Sequence, residues 1–367
     1  MERSSKIVHI SIIGIIVNLV MVAFKGAVGA VTGSIAIMMD AVNNLSDAMS
    51  SVITIGGTKL AGKAPDKKHP YGYGRVENIS SITISVIILI AGVTSLKESI
   101  ESILQRSEAS YTAVSLVIVA VAVVVKFLLG RYVKAAGKTY NSDALIASGT
   151  ESVFDAAISL STLVAAAVSM VWHVSIEGWL GAVIAVLILK AGAEMLMGSL
   201  NSIIGTRVDR ELSVKLKKDI CGYPDVLGAY DLVLHKYGPD RMIGSVHVEL
   251  SDEITAREIH RLTQDITKAV KRDYGITLTV GIYVSNTTNE ESARMKEQLL
   301  GLIAGYPDIL QMHGFYMDAE RQLVTFDLVI DFKSKRRIAI RDAVIEQMKN
   351  LYPTYDFSVI LDSDYSD

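Results

Sequence analysis

The sequence predicts a membrane α-helical bundle of six transmembrane helices followed by two cytoplasmic α/β ferredoxin-like domains. Three observations carry that prediction. Long apolar runs dominate up to about residue 205 and then stop, so the chain joins two parts suited to different solvents. Two polar motifs, Asp40-Ala-Val-Asn-Asn44 and Glu151-Ser-Val-Phe-Asp155, lie inside those runs. Beyond them a motif recurs, Gly222-Tyr-Pro-Asp-Val-Leu227 returning as Gly305-Tyr-Pro-Asp-Ile-Leu310.

Six mostly apolar spans run over about 7–30, 33–58, 79–102, 111–135, 144–172 and 177–203, each long enough to cross a bilayer as a helix. Lys59, Lys63, Lys67, Lys68 and Arg75 fall between the second and third, and Arg131, Lys134 and Lys138 between the fourth and fifth. The turns near Thr32-Gly33 and from His173 to Glu177 carry no Lys or Arg. That asymmetry places both termini in the cytoplasm of a cell-membrane protein, with Trp172 and Trp179 at the opposite interface. The first apolar run is full length and no cleavage site stands out, so no cleavable signal peptide is expected.

In the remainder, an amphipathic helix precedes each copy of the repeated motif, at about 210–221 and 292–304. Alternating strands follow, Tyr230–Lys236 with Gly244–Leu250 and Met312–Asp318 with Leu323–Phe332. A second helix (255–273, 335–350) and a last strand (276–284, 356–362) complete each copy. The order αββαβ, twice, reads as two ferredoxin-like units, linked by polar residues 285–291. The expected domains are therefore 1–206, 207–286 and 292–367.

Half of the 367 residues are hydrophobic, yet the net charge is only −3 and no polybasic run appears, which argues against nucleic-acid binding. One cysteine, Cys221, excludes an intramolecular disulfide and a Cys-rich zinc site; it is expected to be a small buried helix residue. No nucleophile constellation or phosphate loop marks an enzyme.

A carboxylate at the bilayer centre costs about 3 kcal/mol or more unless it faces a cavity or a partner. The i, i+4 spacing puts Asp40 with Asn44, and Glu151 with Asp155, on one face of each helix. Two such faces turned together make an oxygen cage with about three negative charges, suited to a hard or borderline divalent cation. The blander reading is interhelical hydrogen bonding, which Asn and Ser often provide in membranes; three carboxylates are too costly for that alone.

Asp40-x-x-x-Asn44-Leu-Ser-Asp47, His69-Pro-Tyr-Gly-Tyr-Gly-Arg75-Val-Glu77, Ser142-Asp143-Ala-Leu-x-Ala-Ser-Gly and Glu151-x-x-x-Asp155, in this order over six spans, resemble the cation diffusion facilitators. These are metal/proton antiporters, and the likeness covers about residues 1–286. The second αββαβ copy is an addition to that plan. The resemblance implies a transport site of Asp40, Asn44, Glu151 and Asp155. Asn at position 44 matches the manganese-like branch, with Glu151 standing where that branch usually has Asp. A cage without imidazole or thiolate suits Mn²⁺ or Fe²⁺ independently, although Zn²⁺ binds such oxygens tightly as well. Asn43 and Asp47 are expected to orient the ligands or line the entry path.

The same resemblance marks weaker positions. Asp66 and His69 match a secondary metal site whose third ligand is replaced by Tyr73, so a structured loop is favoured. His247 and His260 match a regulatory metal site in the first α/β domain, but Tyr230 and Tyr283-Val-Ser285-Asn286 depart from it; His235 is a nearby candidate. Asp318, Asp327, Asp331, Asp362 and Asp364 read as an acidic surface. Arg75 and Asp209 match a charge lock of the family homodimer. Lys25, Lys126 and Lys190 interrupt apolar spans and are expected to snorkel or pair. Gly26, Ala30, Gly192 and Gly198 are expected to permit close helix packing.

The expected function is proton-coupled efflux of a divalent cation, with Mn²⁺ ahead of Fe²⁺ and Zn²⁺. The alternatives are a Na⁺/H⁺ exchanger using the same oxygens, or a non-transporting membrane scaffold whose cytoplasmic domains sense metal.

Overall fold

The computed structural model describes residues 2–32, 35–105, 113–172, 176–239 and 241–362. Two compact units divide the chain: Met1–Thr206 with Tyr237–Asp240, and Arg207–Lys236 with Arg241–Asp367.

The first unit is helical: α1 (Glu2–Thr32), α2 (Ile35–Ala61), α3 (Val76–Gln105), α4 (Ala113–Thr139), α5 (Asp143–Trp172) and α6 (Glu177–Ile204). At about 1.5 Å per residue each exceeds the ~30 Å hydrocarbon layer. Among the described residues, five helices, α1, α3, α4, α5 and α6, are long and apolar enough to cross a membrane. In sequence α2 carries Asp40, Asn43, Asn44, Ser46, Asp47, Ser50 and Ser51 along its length.

Polarity in this unit is inverted relative to a water-soluble bundle. Ile16 and Val20 of α1, Ile90 of α3, Leu128 of α4 and Val183 of α6 face outward, while Ser11, Asn18, Ser50, Thr54, Ser81 and Ser85 are buried. An apolar outer face suits lipid tails, and the inner hydroxyls of Thr54, Ser85 and Ser199 bond to backbone or to a neighbouring helix. Ser199 Oγ, for example, donates to Ser81 Oγ at 2.8 Å.

The helices pack chiefly as pairs, α1 with α2, α3 with α6 and α4 with α5. The α4–α5 seam is close. A Cβ on Gly130 would lie 2.8 Å from Gly149 O and from Val153 N, one on Gly137 would lie 2.7 Å from Ile146 N, and one on Gly149 would strike the backbone of Lys134. Small residues at these points let two backbones touch. Among the glycines expected to serve packing, Gly192 does lie against Leu89 of α3, whereas a Cβ on Gly26 or Gly198 would meet open space. Ala30 is exposed.

The second unit contains α7 (Arg210–Cys221), β1 (Gly228–Lys236), β2 (Met242–Ser251), α8 (Ala256–Tyr274) and β3 (Ile276–Ser285), then α9 (Glu290–Ile303), β4 (Ile309–Asp318), β5 (Leu323–Ile330), α10 (Arg337–Leu351) and β6 (Asp356–Asp362). Both copies have the αββαβ order and three-stranded sheets, β1-β2-β3 and β4-β5-β6. In each, the first two strands are antiparallel and the last two parallel. A parallel pair needs a crossover, which α8 and α10 provide. α8 starts with a capping box, Thr255 with Glu258, and ends at Gly275 in the left-handed conformation (φ 69°).

Each sheet buries one face against its helices. Leu216, Ile220, Val246, Val248, Leu250 and Ile266 centre the first core; Leu299, Phe315, Phe326, Leu328, Val344 and Met348 centre the second. Tyr223 and Tyr306 of the repeated motif pack on these cores. Cys221 ends α7 and is exposed rather than buried, because Leu216 and Ile220 form that helix's inner face. The link between copies is short and bonded: Asn286 Oδ1 accepts from Met317 N at 2.8 Å, and its Nδ2 donates to Met317 O at 3.3 Å.

If the α4–α5 seam is as tight as this, Gly149→Ala destabilises the protein by about 1–3 kcal/mol, as overpacking does, and so lowers the thermal midpoint of the purified protein in detergent. Gly198→Ala leaves it unchanged. Equal midpoints for the two variants would contradict the close approach.

Candidate functional site

The polar residues of the helical unit meet where α2, α4 and α5 face one another. Lys126 of α4 is only 3% exposed, an ammonium buried deep in the bundle. Its Nζ forms ion pairs with Asp47 of α2 and with Asp155 of α5, the latter at 3.1 Å. Glu151, one turn before Asp155, is 8% exposed, and Ser50 Oγ of α2 donates to its Oε1 at 3.2 Å. Asn44 is 2% exposed, and its Nδ2 has no hydrogen-bond partner among the described residues.

Three carboxylates and one lysine therefore share this region. Each charge would carry a desolvation penalty of several kcal/mol if left alone. Lys126 compensates two of them at once, and the Ser50 hydroxyl supports the third. Helix geometry explains the set: Asn44, Asp47 and Ser50 recur at about one turn along α2, and Glu151 and Asp155 lie one turn apart on α5. Asp40 and Asn43 also lie on α2, but their side chains are outside the described residues.

The sequence pattern pointed to Asn44, Glu151 and Asp155, and the structure brings α2 and α5 together at the latter two through Ser50 and Lys126. Lys126 carried no assigned partner from sequence, and Ser50 was not singled out. Spacing within one helix says nothing about which third helix supplies a counter-charge. Lys190 pairs at 3.9 Å with Glu194 on an exposed face of α6, and Lys25 is buried.

The loop after α2 uses Asp66 internally. Its Oδ1 accepts from His69 N (2.8 Å) and Lys68 N (3.0 Å), and its Oδ2 from the Tyr73 hydroxyl (2.7 Å) and Lys63 Nζ (3.2 Å). The Tyr73 hydrogen bond, with those from the backbone, holds this carboxyl well below the usual carboxylate range. His69 Nδ1 is 3.6 Å from Asp66 Oδ1. Arg75 places its guanidinium 4.4 Å from the Tyr237 ring centroid. Asp209 caps α7, accepting from Glu211 N at 2.9 Å.

A second polar cluster lies in the αββαβ region. His247 Nδ1 of β2 is 2.8 Å from Asp231 Oδ2 of β1. His313 Nε2 of β4 is 2.8 Å from Asp231 Oδ1, 3.9 Å from Asp327 Oδ2 and 3.8 Å from Asp362 Oδ2. The Tyr283 hydroxyl is 2.6 Å from both Asp231 Oδ2 and Asp327 Oδ2. Burial alone would raise Asp231, yet His247 and its other partners hold it well below the ordinary range; burial raises Asp327. Asp327 is buried and so does not belong to an acidic surface. Asp364 lies outside the described residues. His260, on α8, and His235, on β1, are exposed. Neither Asp231 nor His313 stood out in the sequence.

The model of a cation efflux transmembrane domain matches residues 11–204, and that of a cation efflux protein's cytoplasmic domain matches 208–284. The chain is 29% identical over 271 residues to an uncharacterized transporter of Methanocaldococcus jannaschii, covering 74% of this chain and 93% of that one. It is 26% identical over 294 residues to the manganese efflux system protein MneP of Bacillus subtilis, covering 77% and 97%. To MneS, a second manganese efflux system protein of that organism, it is 27% identical over 269 residues, covering 72% and 91%.

Lys126→Met strands Asp47 and Asp155 in the bundle. Removing one partner of a buried ion pair costs about 3–5 kcal/mol, so the thermal midpoint in detergent falls. Adding Asp47→Asn to Lys126→Met recovers part of the loss. Independent, additive effects of the two substitutions would mean that the pair is not formed.

Proposed function

Since the chain belongs to the cation efflux family, whose members are membrane transporters and not enzymes, we propose that it exports a divalent cation in exchange for protons, with Mn²⁺ the preferred cargo. The ligands in this proposal are Asp40, Asn44, Glu151 and Asp155, with Asn43 and Asp47 beside them. What supports it is the concentration of carboxylates between α2 and α5 in a bundle whose outer faces are apolar. The relatives named as manganese efflux proteins favour Mn²⁺, as does a donor set of carboxylate and amide oxygens without thiolate or imidazole.

In this mechanism Lys126 is the internal counter-ion of the cargo-free carrier. Its ammonium occupies the carboxylate of Asp155, which an arriving M²⁺ takes over. Carboxylates ligate in the ionised form, so binding displaces protons as well as the ammonium. After the bundle opens to the far side, protons compete for Glu151 and Asp155 and the metal leaves. Lys126 stays paired with Asp47, which keeps the charge of the protonated, returning carrier low. α2 is the sixth crossing, polar because it lines this path. Both termini and the αββαβ units are cytoplasmic, each unit ferredoxin-like, and two chains pair as a homodimer in the cell membrane, with Arg75 and Asp209 contributing a charge lock.

Purified protein in liposomes with an imposed pH gradient tests this. Mn²⁺ is expected to move and to depend on the gradient, and Asp155→Ala or Asp40→Ala to abolish the flux. Glu151→Asp remains active, and Glu151→His shifts preference toward Zn²⁺. Sodium flux without divalent competition would replace the proposal with an exchanger, and undiminished Mn²⁺ flux in Asp155→Ala would remove the site.

A further inference from the structure

The second αββαβ unit lies beyond residue 284, where the family match ends. Strand register shows how it relates to the first. Tyr230 stands opposite His247 across β1 and β2, and His313 opposite Asp327 across β4 and β5. Counted from the shared Gly-Tyr-Pro-Asp motif, His313 occupies the place of Tyr230, so Asp327 occupies that of His247. The two equivalent rings meet: Tyr230 and His313 stack at 4.9 Å with 10° between their planes. The copies thus face each other through the same surface, as two subunits do across a two-fold interface.

The next residue in each copy is distorted. Ladder pairing shifts between Tyr230 and Val233, and again between His313 and Tyr316. Asp231 has φ 52° and Gly314 φ 65°, both left-handed. Glycine accepts that conformation freely, and a Cβ on Gly314 would crowd the Tyr283 ring at 2.9 Å. Aspartate tolerates it at a cost, and bulges of this kind re-aim side chains at functional sites. Here the bulge turns Asp231 toward His313.

The polar atoms there do not satisfy one another. His313 is 3% exposed; Nδ1 has no hydrogen-bond partner among the described residues, and Nε2 has only the 2.8 Å ionic approach to Asp231 Oδ1. Tyr283 has one hydroxyl proton for two carboxylate oxygens, each 2.6 Å away. Three carboxylates, Asp231, Asp327 and Asp362, surround one imidazole. Ligand atoms of Asp231, His313 and Asp327 all lie within 4.8 Å of one another.

We propose that a divalent transition ion binds between the two αββαβ units, held by Asp231 of β1, His313 of β4 and Asp327 of β5 with Asp362 beside them, and clamps the units together. Imidazole with several carboxylates selects Mn²⁺, Fe²⁺, Co²⁺ or Zn²⁺ over Ca²⁺ and Mg²⁺. Two of the three ligands come from the second copy, which the family plan lacks, and the site does not depend on the transport assignment.

The test uses the full chain in detergent carrying Glu151→Gln and Asp155→Asn, so that cargo binding is disabled. Equilibrium dialysis against Mn²⁺ and, separately, Zn²⁺ is expected to leave one ion per chain. Adding His313→Gln or Asp327→Asn weakens that binding at least about ten-fold, as loss of a ligand should. Without any substitution in the cluster, Mn²⁺ or Zn²⁺ raises the thermal midpoint of the second unit's unfolding and a chelator reverses the rise. No bound ion and no such rise in the cargo-disabled chain would overturn the proposal, as would unchanged binding in both cluster variants. No Mn²⁺ flux by the unsubstituted chain in liposomes, with the dialysis result intact, would reject the transport reading alone.

Discussion

A lysine ammonium held between two aspartates inside a helical bundle sets the terms for the residues around it. Lys126, Asp47 and Asp155 cannot be treated as three separate charges, because each is costly to bury and tolerable only beside the others. The arrangement carries one positive and two negative charges before Glu151 is counted. A site balanced in this way has no stable condition in which one member simply departs. Whatever removes Lys126 from Asp155 must bring positive charge in its place, and a divalent cation or a proton are the candidates the chemistry supplies.

Such a balance demands accurate placement of α4 against α5, and the glycine seam provides it. Gly130, Gly137 and Gly149 bring the two backbones into contact just cytoplasmic, in the proposed orientation, of Lys126 and Asp155. With no side chain between them the helices have little freedom to slide, so the ammonium reaches its partner over a short path. The apolar outer surface of the bundle adds nothing to this specificity; it only sets the solvent in which the charges are expensive.

Much of the architecture was legible in the chain because it rests on local periodicity. The αββαβ order, twice, follows from alternation and amphipathic spacing, and the observed strands begin and end within a few residues of the expected ones. Glu151 and Asp155 were legible because charge inside an apolar run is expensive. The partners were not. That Lys126 meets Asp47 depends on which helices adjoin, which hydropathy does not encode. Likewise His313 sits in an unremarkable strand, and only register against β5, together with the bulge after Tyr230 that re-aims Asp231, reveals what it faces. Gly26 and Gly198 misled for the same reason: a small residue marks a contact only where another backbone arrives.

Duplication within one chain changes what an interface can hold. Two identical subunits related by a two-fold axis must place the same residue on both sides, so any site on the axis is built from matched pairs. Here the matched positions have diverged, Tyr230 against His313, His247 against Asp327 and Asp231 against Gly314. One side keeps the flat phenol on which the imidazole stacks, and the other supplies the imidazole itself. One side strains an aspartate into the left-handed region to aim its carboxylate, and the other relaxes to glycine and makes room for Tyr283. A symmetric pair could not combine one stacked imidazole with three differently held carboxylates at a single point. Covalent linkage of the two copies frees each half to specialise, and a single mixed-donor cation site is the chemistry that this asymmetry admits.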